Sequence, residues 1–131
     1  MIWNEANSSR FWSPQRGAAA GYEALLADCW DELHANGSRV NVISSTAPHQ
    51  APAGFIAELG RAYRTSGRTK RIFDTFGHNA YPDHNAESPL ARHPPGGSID
   101  EGDYGALMSA LTRAFVGTGQ PVPGSADVTI W

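Results

Sequence analysis

Short apolar runs alternate with longer segments whose apolar residues repeat at helical spacing, and this alternation limits the folds open to the chain. The clearest helical stripe lies within residues 18–35 and places its apolar side chains on one face: Tyr22, Leu25, Leu26, Cys29, Trp30 and Leu33. Similar stripes occupy 55–63 and 104–115. Because strands separated by helices pair in parallel through right-handed crossovers, the pattern predicts an α/β fold with helices outside a parallel sheet.

Four short runs are typical of β-strands, and they cover residues 2–4, 39–43, 71–76 and 127–131. With the three helical stripes between them they predict four parallel strands in a single domain spanning 1–131. The first and last of these strands coincide with the two ends of the chain, where an open sheet edge would favour aggregation. We therefore expect the sequence to be part of a longer chain, truncated at both ends.

The connecting segments differ in length according to their position. Those before predicted strands are short (36–38 and 66–69), whereas those after strands are long (6–17, 44–52 and 77–102). Loops that follow parallel strands lie at the carboxyl end of the sheet, where α/β proteins place their chemistry. The loop lengths favour a (β/α) barrel or a doubly wound sheet with a functional site at the carboxyl end of the sheet.

Composition excludes several classes of protein. The net charge is -3 and no lysine- or arginine-rich run occurs, so there is no basic face for a nucleic acid backbone. No apolar stretch is long enough to predict a transmembrane segment. The single cysteine, Cys29, rules out an internal disulfide and a multi-cysteine metal site. Neither a nucleic acid nor a membrane is expected as a partner, and the sequence indicates no cofactor.

Polar residues follow the predicted strands at the end where a site is expected. The first strand is followed by Glu5 beside Asn4, the second by 44–46, and the third by 77–79 with Tyr81 close by. A partly buried carboxyl group at a strand tip can hold and deliver a proton near neutral pH, which suits general acid catalysis. Spacing alone also allows Glu5 to be a solvated loop residue, and it identifies no reaction.

The segment Ile-Trp-Asn-Glu-Ala-Asn at 2–7 resembles the fourth-strand motif of clan A glycoside hydrolases, usually written W-N-E-P. The resemblance implies a (β/α)8 barrel that cleaves glycosidic bonds with retention of configuration. In that family the glutamate is the proton donor, and the preceding asparagine hydrogen-bonds the sugar 2-hydroxyl. Carried over residue by residue, Glu5 is the acid/base and Asn4 binds the substrate. Ala6 stands where the family has proline.

The later segment Phe-Gly-His-Asn-Ala-Tyr-Pro at 76–82 resembles the end of the sixth strand in cellulase-like members of that clan. It implies that His78 and Tyr81 reach the substrate, although they are three positions apart here rather than the usual two. The whole chain then corresponds to strands four to seven, the second half of a barrel. The implied function is retaining hydrolysis of a polysaccharide or glycoside by a secreted enzyme, with glycan, linkage, endo or exo action and oligomeric state left open.

The second carboxylate of a retaining enzyme, the nucleophile, lies in this clan at the end of strand seven. Residues 127–131 are the candidate for that strand, and Asp127 stands at its beginning, the opposite end from the site. We therefore expect the nucleophile beyond Trp131 in the parent chain and no turnover by these residues alone. The alternative reading is a non-catalytic carbohydrate-binding or interaction module on the same half-barrel scaffold.

Two further side-chain sets, Trp12 and the histidines of the third loop, have more than one interpretation. Trp12, in the loop after Glu5, could stack on a sugar ring or anchor the loop, and Trp3 is expected to fill the barrel core. A metal-dependent hydrolase would need ligands from the long third loop and its preceding strand, where the candidates are His78, Asp83, His84 and His93. These residues follow no fixed metal-binding spacing, so no metal site is predicted.

Overall fold

The computed structural model describes all 131 residues and contains three helices alternating with three strands. In chain order these are α1 (Ala18–His34), β1 (Ile43–Thr46), α2 (Pro52–Ser66), β2 (Thr75–His78), α3 (Tyr104–Phe115) and β3 (Thr129–Ile130). A single 3-10 turn, Glu101–Asp103, leads into α3. The predicted α/β class is confirmed.

The three helices match the predicted stripes closely, because amphipathic periodicity and local end signals act over a few residues. In α2, Pro52 occupies the first turn, where its missing N–H is not needed. The same helix ends at Gly67, which adopts φ 70° and so provides the left-handed conformation that closes many helices. Within α2, a Cβ on Gly60 would lie 2.5 Å from the carbonyl oxygen of Ala114, so glycine permits the close packing of α2 on α3.

The strands form one parallel sheet in the order β1-β2-β3. Ile43 pairs with Thr75 and Thr46 with His78, so the carboxyl ends of β1 and β2 are level. Both strands begin later in the sequence than predicted, because 39–42 and 71–74 precede them. Residues 44–46 and 77–78, which were expected in the following loops, belong to the strands. This small sheet is compatible with several α/β architectures, of which a segment of a barrel is one.

The predicted opening strand at 2–4 is wrong, which leaves three strands instead of four. Trp3 adopts φ 60° and Glu5 φ 45°, both in the left-handed region that an extended strand does not contain. One hydrogen bond of the kind that joins neighbouring strands remains, from the Ile2 N–H to the Ile43 carbonyl at 2.8 Å. Tyr22 of α1 donates its hydroxyl to the Ile2 carbonyl at 2.9 Å, so the segment is still held beside β1.

A core of 21 buried apolar residues lies between the helices and the sheet. Right-handed crossovers between consecutive parallel strands place α2 and α3 on the same face of the sheet, and the two helices pack directly on each other. The largest fully buried apolar side chains are Tyr22, Tyr63, Phe73, Phe76, Phe115, Leu26, Ile56, Leu59, Ile72 and Leu111. No helix is both long and apolar enough to cross a bilayer.

Candidate active site

The carboxyl edge of the sheet carries a connected set of polar side chains. Thr46, the last residue of β1, and His78, the last residue of β2, are paired in register. The Thr46 hydroxyl lies 2.8 Å from His78 Nδ1. On its other side, His78 Nε2 lies 2.8 Å from the carbonyl oxygen of Ile99. His78 therefore connects both strands to the loop that precedes α3.

These partners define the protonation of His78. A carbonyl oxygen only accepts hydrogen bonds, so Nε2 carries the hydrogen and donates to Ile99. Nδ1 is then free to accept from the Thr46 hydroxyl. Burial lowers the pKa of His78 below its ordinary value, and this outweighs the opposing effects of the bond to Ile99 and the charge of Glu5. His78 is therefore a buried, neutral histidine with both nitrogens engaged inside the protein.

Glu5 lies at the same edge and is half-buried. Its backbone N–H donates to the Ser45 hydroxyl of β1 at 3.3 Å. Its carboxylate atom Oε1 accepts a hydrogen bond from Asn79 Nδ2 at 2.6 Å. Asn79 follows β2 directly, so the carboxylate is held by a side chain 74 positions away in sequence. The left-handed backbone at Glu5 makes this approach possible, because strict strand alternation would not aim neighbouring side chains at one site.

A buried asparagine holds the segment after Glu5 in place. Asn7 Nδ2 donates to the carbonyl oxygens of Ala47 and His49 at 3.1 and 3.0 Å. Its Oδ1 accepts from the Ala47 N–H at 2.7 Å. Three hydrogen bonds from one side chain thus join the loop after Glu5 to the loop after β1. This restrains the backbone two residues beyond the carboxylate.

Asn4 and Tyr81 have fewer contacts with the rest of the candidate site than the resemblance implies. Asn4 is half-buried, and its side chain makes no hydrogen bond within the chain. Tyr81 is 59% exposed and lies beyond the turn that follows β2. Both side chains are therefore open to a ligand, but nothing in the fold orients either of them toward Glu5.

The two tryptophans near Glu5 differ in how far they are buried. Trp3 is 53% exposed, so the expectation that it fills the core is wrong. Its left-handed backbone turns the side chain outward, where Nε1 donates to the Phe11 carbonyl at 2.9 Å. Trp12 is half-buried and packs edge-on against Trp3 and Tyr22, with ring centroids 5.8 and 6.0 Å apart. Of the two interpretations of Trp12, loop anchoring fits this packing better.

A cavity of about 210 Å³ lies beside the polar edge. Six residues line it, and they come from the chain start, the ends of β1 and β2, and the chain end: Met1, Ser45, Gly77, His78, Asn79 and Trp131. A Cβ on Gly77 would collide with the Ser44 carbonyl, so only glycine allows the strands to approach this closely here. The lining combines polar side chains with the apolar surfaces of Met1 and Trp131, and Asn79 is shared between the cavity and Glu5.

A second polar cluster occupies the long loop after β2. We name Asp83, Glu87, His93, Asp100 and Asp103 the His93 cluster, since His93 contacts all four carboxylates. His93 Nδ1 lies 2.8 Å from Asp103 Oδ2, and Nε2 lies 3.4 Å from both Asp83 Oδ2 and Glu87 Oε1. The Asp103 carboxylate raises the pKa of His93 above its ordinary value, and the other three carboxylates act in the same direction.

The pKa values of the carboxyl groups in the His93 cluster are shifted in different directions. Burial raises the pKa of Asp100 and outweighs the hydrogen bond from the Gly102 N–H. Burial also disfavours the charge of Asp103, but hydrogen bonds from His93 prevail and lower the pKa of Asp103. At Asp83 a hydrogen bond from Ser98 lowers the pKa. The cluster therefore contains one carboxyl group that resists ionisation next to two that favour it.

The structure brings together only some of the predicted site residues. Glu5 and His78 lie at the same edge, while Asp83 and His93 meet in the separate loop cluster, to which neither His78 nor the exposed His84 contributes a contact. Sequence reasoning missed Asn79 and Ser45 as partners of Glu5. Their position immediately at the end of a strand was the only signal available, because their contacts join distant segments.

No protein-family model matches the sequence, and neither a curated protein nor a solved structure matches it. The fold defines the class of the chain as α/β with a parallel sheet. Any functional assignment therefore depends on the geometry at the carboxyl edge of that sheet.

Proposed function

We propose that this chain supplies the acid/base carboxylate of a retaining glycoside hydrolase, and that Glu5 is this carboxylate. The supporting observation is the position of Glu5 at the carboxyl edge of a parallel sheet, with Oε1 held 2.6 Å from Asn79 Nδ2. An amide that fixes one carboxylate oxygen leaves the other, Oε2, to face a reacting group. A general acid has to be held within hydrogen-bond reach of the group that it protonates, and the bond from Asn79 gives Glu5 a fixed orientation.

In this mechanism Glu5 Oε2 first donates a proton to the glycosidic oxygen as the bond to the anomeric carbon breaks. The ionised carboxylate then takes a proton from the water that releases the sugar from the covalent intermediate. Asn4, which has no partner inside the chain, is the proposed donor to the sugar 2-hydroxyl. The exposed ring of Trp3 and the exposed Tyr81 offer aromatic surface to the substrate.

His78 has a different role in the proposal from direct sugar binding. Both ring nitrogens are engaged by Thr46 and Ile99, so neither is free for a hydroxyl of the substrate. We assign it to holding the ends of β1 and β2 and the Ile99 segment in register. It therefore positions Asn79, the next residue, which in turn orients Glu5.

The nucleophile has to come from elsewhere. Retaining chemistry places the second carboxylate about 5–5.5 Å from the acid/base. The hydrogen-bond partners of Glu5 are an amide and a hydroxyl, and Asp127 precedes β3 at the opposite end of the sheet from Glu5. We therefore propose that the nucleophile comes from a residue outside the contacts of Glu5 described here, in a (β/α)8 barrel of which this chain would form part.

The test uses a longer parent chain and its Glu5→Gln variant, which keeps the size and the hydrogen-bond acceptor. For glycosides with poor leaving groups, we expect kcat/KM to fall by about 100-fold or more. For dinitrophenyl glycosides, whose leaving group needs no proton, the glycosylation step should change far less. Glu32→Gln, at an exposed position on α1, is the matched control and should leave both rates unchanged.

Two results would overturn the proposal. Equal losses on both substrate classes would remove the acid/base role from Glu5. Oligosaccharide binding without hydrolysis by the intact parent chain would instead indicate the non-catalytic carbohydrate-binding module.

A further inference from the structure

The geometry points to a divalent metal site in the loop between β2 and α3, with Glu87, His93 and Asp100 as ligands and zinc as the ion. The site is separate from the Glu5 carboxylate and does not depend on the proposed glycosidase function. It accounts for the His93 cluster, which the proposed mechanism does not use.

The three side chains already converge as a ligand set. Each offers one ligand atom, and these atoms all lie within 4.8 Å of one another. His93 Nε2 lies 3.4 Å from Glu87 Oε1 and 3.4 Å from Asp83 Oδ2. Two ligands on a tetrahedral zinc ion, each bonded at 2.0–2.1 Å, are separated by about 3.3 Å. The distances from His93 Nε2 to Glu87 and Asp83 therefore match the edge of a zinc tetrahedron, with Asp83 available as a fourth ligand. The Asp100 ligand atom, within 4.8 Å of the other two, would move closer to them on binding.

Asp100 provides an independent indication of a ligand. It is 3% exposed, and one of its oxygens, Oδ2, is buried with no hydrogen-bond partner. The other oxygen, Oδ1, accepts from the Gly102 N–H at 3.0 Å. Oδ2 points into the cluster, 3.5 Å from His93 Nδ1. Buried polar atoms are nearly always paired, so an oxygen of this kind inside a ligand set indicates an ion that completes its bonding.

A carboxylate lies behind His93, on the side of the ring that faces away from Glu87 and Asp83. Nδ1 lies 2.8 Å from Asp103 Oδ2, and the His93 N–H donates to Asp103 Oδ1 at 3.1 Å. A hydrogen on Nδ1 donated to Asp103 fixes the tautomer and leaves the Nε2 lone pair directed at Glu87 and Asp83. A carboxylate behind a metal-bound histidine is the usual arrangement.

The donor set selects the kind of ion. One imidazole nitrogen with carboxylate oxygens suits zinc, whereas calcium and magnesium prefer oxygen ligands alone. Four carboxylates around one histidine also leave the cluster with excess negative charge, which a dication would neutralise. Bound zinc would join three separated points of a long loop that contains no regular strand or helix of its own before Glu101.

The experiment is calorimetric titration of the metal-stripped 131-residue chain with zinc, together with thermal unfolding. We expect one zinc per chain and a Tm that rises with zinc concentration. Cobalt(II) should give the intense visible absorption of a tetrahedral ion, and zinc should abolish it. Glu87→Gln and Asp100→Asn should each weaken binding at least about 10-fold, in line with the loss of a ligand. Asp100→Asn retains Oδ1 for Gly102, so the local turn is preserved.

Two controls separate the site from general acidity and from the proposed catalytic centre. Asp28→Asn, at an exposed position on α1, and Glu5→Gln should both bind zinc as the unmodified chain does. Circular dichroism of the metal-free variants shows whether they fold. The absence of saturable binding by the unmodified chain, or equal binding by folded Glu87→Gln, Asp100→Asn and Asp28→Asn, would overturn the proposal.

Discussion

His78 and His93 lie in the same part of the chain, yet the protein treats them in opposite ways. His78 ends a strand, is buried, and has two uncharged partners, the Thr46 hydroxyl and the Ile99 carbonyl. His93 lies in an irregular loop with 13% of its side chain exposed and faces four carboxylates. Burial lowers the pKa of the first, and a carboxylate partner raises the pKa of the second.

The difference shows that the groups around a histidine, and not the residue type itself, determine its protonation state and its role. A neutral imidazole that donates once and accepts once acts as a rigid link between segments. An imidazole among carboxylates is favoured as a cation, or as a metal ligand when a metal ion replaces the proton. The two environments are adjacent, since Ile99 accepts from His78 and the next residue, Asp100, belongs to the His93 cluster.

The largest expected effect is on folding stability, and it separates the two histidines. His78→Ala should lower the free energy of unfolding by about 2–4 kcal/mol, because it leaves a cavity and removes the partners of Thr46 and Ile99. His93→Ala in metal-free buffer should lower the free energy of unfolding less, because burial already favours the protonated form of Asp100 and the Asp83 side chain is 41% exposed to water. Urea unfolding of both variants measures the contrast. A larger loss for His93→Ala would contradict it.

A smaller effect is expected on catalysis by the parent chain, if Glu5 is its acid/base. Asn79→Ala should reduce kcat/KM for poor leaving groups by about 10-fold, the equivalent of one net hydrogen bond. Asp103→Asn, in the His93 cluster, should leave this rate within about 2-fold, because it has no contact with Glu5. An equal loss of rate on dinitrophenyl glycosides, whose leaving group needs no proton, would indicate a purely structural role for Asn79.

The smallest expected effect is in the titration of the two rings, observed by NMR in metal-free buffer. The pKa of His93 should lie above 6.5 and that of His78 below 6.5. His93 faces Asp83, Glu87, Asp100 and Asp103, and His78 faces Glu5. The reverse order of midpoints would show that the partners described here do not control the protonation of the two rings.

These midpoints give opposite signs to the pH dependence of stability. The raised pKa of His93 stabilises the fold fully below about 6.5, and this contribution is lost as pH rises through the folded value. The lowered pKa of His78 means that the unfolded chain binds the proton more tightly, so stability falls as pH drops below 6.5. Replacing His93 by glutamine should remove the loss of stability with rising pH above 6.5. Replacing His78 by glutamine should remove the loss of stability with falling pH below 6.5.

Sequence alone was sufficient for the three helices and for the alternation that defines the α/β class. Amphipathic stripes and end signals such as Gly67 act over one or two turns, so they can be read locally. Sequence also placed Glu5 at the carboxyl edge of a strand-like segment. It failed on the opening strand, because the left-handed backbone at Trp3 and Glu5 comes from contacts with β1 and α1 that no local pattern records.

The partners of the functional side chains were decided by tertiary structure. Asn79 reaches Glu5 across 74 positions, and Glu87, His93 and Asp100 meet through a loop without periodicity. Hydrogen bonds and ion clusters depend on distances of a few ångströms between atoms, whereas spacing along the chain limits such distances only within a helix or a strand. The sequence therefore determined which groups carry chemistry and roughly which edge they occupy. Only the folded chain determined which of them act together.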